Sequence, residues 1–229
     1  MKTIGLLGGM SWESTELYYR LINEETKRAL GGLHSAPIVM VSVDFHEIEQ
    51  LQAQEDWDAS ARLLSDKARQ IESAGAELLL ICTNTMHKVA DEVADAIGIP
   101  LLHIADATAT SVKASGVRTV GLLGTRFTME QEFYKGRLEK SGLTVLVPGE
   151  DDRAIVNRTI YEELCLGQMN PESRQEFLRI IDSLHAGGAE AVIEGCTEIG
   201  LLVGEEHTDV PLFDTTRIHA SQAVADALK

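Results

Sequence analysis

The sequence predicts an α/β protein of two pseudo-symmetric lobes, each a parallel sheet flanked by helices, with the active site in the cleft between them. Three observations carry that prediction. Short apolar runs alternate with amphipathic stretches along all 229 residues. Pro100 and Pro211 each precede an apolar run, where an element boundary belongs. The chain also repeats itself once, in order and at near-equal spacing.

Taken in order, strands are expected at residues 3–7, 38–43, 78–81, 101–104, 119–123, 144–147, 191–193 and 212–213. Helical patterns fill the intervals at 14–29, 57–73, 87–96, 107–115, 130–140, 153–164, 172–186 and 219–228. The repeat pairs Ile4-Gly-Leu-Leu-Gly-Gly-Met10 with Val120-Gly-Leu-Leu-Gly-Thr-Arg126. It then pairs Gly75-Ala-Glu and Cys82-Thr-Asn with Gly188-Ala-Glu and Cys196-Thr-Glu, and Ile99-Pro-Leu-Leu-His with Val210-Pro-Leu-Phe-Asp. Gly8 and Cys82 are 74 positions apart, and Gly124 and Cys196 are 72 apart. The unit is too long for a solenoid. The expected lobes are residues 1–103 plus 216–229, and residues 104–215.

Composition narrows the function. Twenty basic against 36 acidic residues give a net charge of −16, which opposes nucleic-acid backbones and anionic membrane surfaces as partners. A small anionic substrate stays compatible, because backbone N–H groups at helix starts can bind it. The apolar start, residues 4–10, is too short and glycine-rich for a signal peptide, and no apolar run reaches a membrane span. A cytoplasmic location is expected. Three cysteines, far apart and without CxxC spacing, suit neither a disulfide framework nor a zinc site. The first loop reads Gly5-x-x-Gly8-Gly9, a poor dinucleotide fingerprint, and no GxSxG elbow is present.

The thiols are then the question. A cysteine beside an apolar strand is usually a small buried hydrophobe. Cys82 and Cys196, however, occupy equivalent repeat positions at the carboxyl ends of strands, where parallel sheets bind ligands. Both precede small polar residues suited to a helix start, which predicts lowered thiol pKa values. Cys165 lies inside a helical pattern and reads as structural. Two opposed thiols suit inversion at a carbon: one takes the proton from one face and the other returns one to the opposite face.

The segments Gly8-Gly-Met-Ser-Trp-Glu-Ser-Thr15, Cys82-Thr-Asn-Thr-Met-His87, Gly124-Thr-Arg-Phe-Thr-Met129 and Gly195-Cys-Thr-Glu-Ile199 resemble the signature segments of the aspartate/glutamate racemase family. The likeness runs the length of the chain and is greatest to that family's broad-specificity amino-acid racemases. It implies interconversion of L- and D-amino acids, a homodimer, no pyridoxal phosphate or other cofactor, no metal, and Cys82 and Cys196 as the two acid/base groups. By position it implies substrate contacts from Thr83, Asn84, Thr85 and Thr197, and from Thr125 and Thr128 in a second loop. For Asn84, Thr125, Thr128 and Thr197 the plain alternative is helix capping. Met10 is expected to line the pocket or to be core. His103, His219 and Asp214 flank the repeat ends, either beside the thiols or as satisfied structural groups.

One departure bears on substrate. Members preferring aspartate carry an Arg after the second strand and a Lys in the segment aligned with residues 161–167. Here residues 44–52 contain no Arg and residues 161–167 no Lys. Gln52 offers hydrogen bonds to a neutral polar side chain, and Arg126 remains as a possible charge. A broad or neutral-polar range is therefore expected. The alternatives are an aspartate/glutamate-specific racemase, a hydantoin racemase, a maleate isomerase or an arylmalonate decarboxylase. A non-catalytic binding or redox-sensing protein is the alternative of another class.

Overall fold

The computed structural model describes residues 1–229. Its elements in chain order are β1 (Ile4–Gly8), α1 (Trp12–Leu30), β2 (Ile38–Ser42), α2 (Phe45–Ala53), α3 (Trp57–Ser73), β3 (Leu78–Ile81), α4 (Ala90–Asp95), α5 (Ile104–Ala114), β4 (Thr119–Gly124), α6 (Arg126–Glu130), α7 (Lys135–Lys140), β5 (Thr144–Leu146), α8 (Glu150–Glu162), α9 (Pro171–Ala186), β6 (Ala191–Gly195), α10 (Ile199–Leu202), β7 (Leu212–Asp214) and α11 (Thr215–Ala227). Single 3-10 turns cover Thr85–Val89 and Leu164–Leu166. No helix is long and apolar enough to cross a membrane. The chain divides into two compact units, Met1–Ile104 with Thr216–Lys229, and Ala105–Thr215.

In the first unit three parallel strands run in the order β2-β1-β3. A single parallel bridge between Leu79 and Leu101 extends the sheet by one residue. Strand alternation sorts its side chains into two cores. Ile4, Leu6, Leu78, Leu80 and Cys82 pack with Leu17, Tyr18, Leu21 and Ile22 of α1 and with Ala220, Ala223 and Val224 of α11. Leu7, Leu79 and Ile81 pack on the other face against Leu64, Ala68 and Ile71 of α3 and Val93 of α4. Burial on both faces explains why these strands read as continuous apolar runs. Helix starts are set locally: Ser11 Oγ accepts from Ser14 N at 3.2 Å at the head of α1, and Asp56 Oδ1 accepts from Ala59 N at 2.9 Å at the head of α3.

The second unit has four parallel strands in the order β5-β4-β6-β7. With the Leu101 bridge counted, its strand order matches that of the first unit. The matching extends to detail: Leu79 N donates to Pro100 O and Val192 N donates to Pro211 O, both at 2.9 Å. Leu123, Val156, Ile160, Phe177, Ile181, Leu184, Val192 and Ile199 form its main core.

The structure corrects three expectations. Residues 101–104 form no strand beyond the Leu101 bridge, because the Ile104 N–H donates to the His87 ring and Ile104 opens α5. The helix expected over 130–140 is two short helices: α6 ends where Gln131 turns extended, and Tyr134 is fully buried between the two. Helices α2 and α10 lie outside the expected pattern. Only Ile48 and Gln52 of α2 are buried, too few to make an apolar stripe, and α10 is a single turn.

Candidate active site

In each unit the first strand ends in a glycine because the following segment leaves no room for a Cβ. One at Gly8 would collide with Thr15 of α1. One at Gly124 would stand 2.8 Å from Gly195 O and 3.1 Å from Thr128 Cβ. Gly9, at φ 92°, sits in the left-handed region and donates its N–H to Thr15 Oγ1 at 2.8 Å. These close approaches draw the loops after β1 and β4 tightly against their sheets.

Cys82 follows the last residue of β3 and is fully buried. Its backbone is held at successive groups. Cys82 N donates to Leu7 O at 2.9 Å, continuing the strand ladder. Cys82 O accepts from Ser14 Oγ at 2.9 Å. Thr83 O accepts from His87 Nδ1 at 2.7 Å. Asn84 and Thr85, both buried, start the 3-10 turn, and Asn84 makes no side-chain cap there.

Cys196 follows the last residue of β6 and is also buried. Here the sulfur itself is engaged. Cys196 Sγ donates to Glu198 Oε2 at 3.0 Å, and Thr197 Oγ1 donates to the same oxygen at 2.6 Å. Beneath this turn Glu194 of β6 stands in register with Asp214 of β7. A Cβ placed on Gly200 would meet Glu194 Oε2 at 3.4 Å and Asp214 Oδ2 at 3.5 Å, so the two carboxyl groups converge under α10. Burial first, then the charges of Asp214 and Glu205, push Glu194 up to about 8.

The expectation of acidic thiols is overturned. Burial pushes Cys82 well above the ordinary thiol range. Burial, followed by the Glu198 and Cys165 charges, does the same to Cys196. Loss of hydration outweighs whatever a single turn of helix supplies. Burial therefore favours the protonated form of both sulfurs.

The remaining expected residues sort as follows. Met10 and Met86 belong to one buried cluster, and Gln52 donates to Met86 Sδ at 3.0 Å. Thr125 does cap α6, its Oγ1 accepting from Thr128 N at 3.3 Å and lying 3.2 Å from Thr128 Oγ1. Arg126 is exposed, 3.8 Å from the Glu130 carboxylate, which also holds Arg153 at 2.8 Å. His219 is tied to Leu102 O and to the Tyr18 hydroxyl, each at 2.8 Å, and burial pushes it down to about 4. His103 is buried with its ring 4.5 Å from that of His87. Cys165 packs at the edge of the second unit's core. The residue that the sequence reading passed over is Glu198. It was legible only as a helix-start residue; a carboxylate two positions after a thiol on a tight turn was the available signal.

Comparison with known proteins places the chain. A family model described as Asp/Glu/hydantoin racemase matches residues 7–223. The chain belongs to this family of racemases, which are isomerases. The crystal structure of a Yersinia pestis protein assigned to the Asp/Glu racemases is similar at 59% identity and a TM-score of 0.93, covering 100% of both chains. An aspartate racemase homologue from Pyrococcus horikoshii is 35% identical with a TM-score of 0.87, again over 100% of both chains. The broad specificity amino-acid racemase RacX of Bacillus subtilis is 22% identical over 233 residues, 98% of each chain.

Proposed function

We propose that the protein is an amino-acid racemase that inverts the α-carbon with Cys82 and Cys196 as its two acid/base groups, without an organic cofactor or metal. The observation that carries this is a cysteine placed directly after a parallel strand in two units of matching strand order, one of them hydrogen-bonded to a carboxylate.

The chemistry needs one thiolate and one thiol. The thiolate takes the proton from Cα; the C–H bond breaks, an S–H bond forms, and the electron pair spreads into the α-carboxylate. The other thiol then gives its proton to Cα from the opposite face and becomes the thiolate. Glu198 already accepts the Cys196 S–H, so it offers that proton a place to go once a cation beside the sulfur stabilises the thiolate. The substrate ammonium supplies the other push: a cation brought beside a buried thiol favours its charged form. Thr83, Asn84, Thr85 and Thr197, with Thr125 and Thr128, offer hydroxyl, amide and backbone donors to the α-carboxylate and acceptors to the ammonium. Met10 and Gln52 face the substrate's side chain.

The substrate range is broad or neutral-polar. Residues 44–52 offer Gln52 and no arginine. Arg126, the cation left over from the sequence, shares Glu130 with Arg153 on the surface. A buried side-chain carboxylate without a cationic partner costs several kcal/mol, on the order of what the rest of a small ligand gains. The test is a panel of L-amino acids incubated with the protein and resolved by chiral chromatography. Racemisation of several neutral amino acids is expected. Activity confined to aspartate and glutamate overturns the range; inactivity on the whole panel overturns the racemase.

A further inference from the structure

Cys82 has a support that Cys196 lacks, and it comes from a histidine. His87 is buried, with Nδ1 2.7 Å from Thr83 O and Nε2 3.2 Å from Ile104 N. A backbone N–H only donates, so Nε2 must present its lone pair to Ile104. The proton then sits on Nδ1 and is donated to Thr83 O. The tautomer is fixed by the backbone on both sides, and the ring becomes a spacer between the start of α5 and the residue after Cys82.

We infer that His87 is a positioning residue for Cys82: as the Nδ1–H tautomer it braces the turn from which the thiol projects. This rests on the two-thiol reading above. The orientation of the thiol follows from the backbone dihedrals of the turn. The Cys82–Thr83 peptide is fixed through Cys82 O by Ser14, and the Thr83–Asn84 peptide through Thr83 O by His87. The residue between these two peptide planes is Thr83, so His87 acts on Cys82 from one residue on: it holds the far side of Thr83, while Ser14 and the bond from the Cys82 N–H to Leu7 O constrain the Cys82 side. His103 and His219 close the ring's surroundings, with ring centroids 4.5 and 5.8 Å away, so the imidazole is held in its own plane by packing as well as by its bonds. In the second unit Cys196 O accepts from Ile199 N within the same turn, and the sulfur is held by Glu198.

Two substitutions separate bracing from mere packing. His87→Asn keeps a donor at the Nδ1 position and loses the Ile104 contact. His87→Gln keeps an acceptor near the Nε2 position and loses the bond to Thr83. The racemisation kinetics of both variants are measured on the amino acid that wild type turns over fastest, together with their melting temperatures. The expected result is a kcat about tenfold lower for His87→Gln, the size of one lost hydrogen bond, with KM within about twofold. His87→Asn is expected within about threefold of wild type in kcat. In a Cys196→Ser background, His87→Gln is also expected to slow by about tenfold the one-sided exchange of the α-proton with deuterium oxide. An unchanged kcat in His87→Gln overturns the inference, as does an equal fall in both variants that follows their melting temperatures. If wild type racemises no amino acid, the two-thiol reading fails separately. The brace is then judged from the Cys82 Cβ NMR shift in wild type and His87→Gln. A displaced resonance supports it and an unmoved one overturns it.

Discussion

The turns at Cys82 and Cys196 end equivalent strands, yet they hold their cysteines by opposite means. At Cys82 the backbone is anchored by Ser14 and His87, and the sulfur lies in the apolar core beside α1 and α11. At Cys196 the sulfur itself is anchored, to a carboxylate that also holds Thr197. The difference begins in one pair of repeat-equivalent residues, Asn84 and Glu198. An amide cannot take a proton from a thiol and a carboxylate can. Matching scaffolds thus place two cysteines alike while local sequence gives each sulfur different neighbours.

The contrast can be broken in four places. The largest effect is expected at Glu198. Glu198→Gln keeps the shape and removes the proton acceptor, so steady-state kcat should fall about a hundredfold, within the usual range for general acid–base assistance. Exchange of the α-proton by Cys196 should fall with it, while exchange by Cys82 is spared; equal loss on both sides would erase the proposed asymmetry. Next comes Gly195→Ala, whose new Cβ would stand 2.7 Å from Leu123 O. Such overpacking costs about 1–3 kcal/mol, so calorimetry should show Tm lower by about 5 °C.

The two units should also respond to pH from opposite sides. His219 in the first unit has a folded value of about 4 against an ordinary 6.5. Acid therefore protonates the unfolded chain first, and the unit's stability, full above pH 6.5, is lost as pH falls toward 4. His219→Gln should melt lower than wild type at pH 7 but lose less on going to pH 4.5. Glu194 in the second unit has a folded value of about 8 against an ordinary 4.5. It stays protonated when folded, so stability is full below pH 4.5 and is lost as pH rises toward 8. Glu194→Gln, which never ionises, should raise Tm at pH 8 by a few degrees and leave it unchanged near pH 4. This is the smallest of the four effects; a Tm for Glu194→Gln at or below wild type at pH 8 would show that the carboxyl is not strained there.

Much of this was legible in the residues. Continuous apolar runs gave the strands their places, and α3 was expected over the residues it occupies, because Leu64, Ala68 and Ile71 repeat at helical spacing. The order of the repeat located both cysteines at strand ends. Other features were hidden for physical reasons. Helix α2 buries two side chains and carries no stripe. The break between α6 and α7 turns on Tyr134, whose burial is decided by tertiary packing rather than by period. The raised thiol pKa values depend on how completely water is excluded, which a motif does not encode. The part played by His87 depends on the chain returning to it at Ile104, seventeen residues on.

The most direct test of the two-thiol account is proton exchange in deuterium oxide with the single variants Cys82→Ser and Cys196→Ser. Wild type should place deuterium at Cα in the inverted enantiomer. Each variant should fail to invert, and each should retain exchange of only one enantiomer, the two variants being opposite in hand. Full racemisation by either variant, or loss of the same enantiomer's exchange in both, would contradict it.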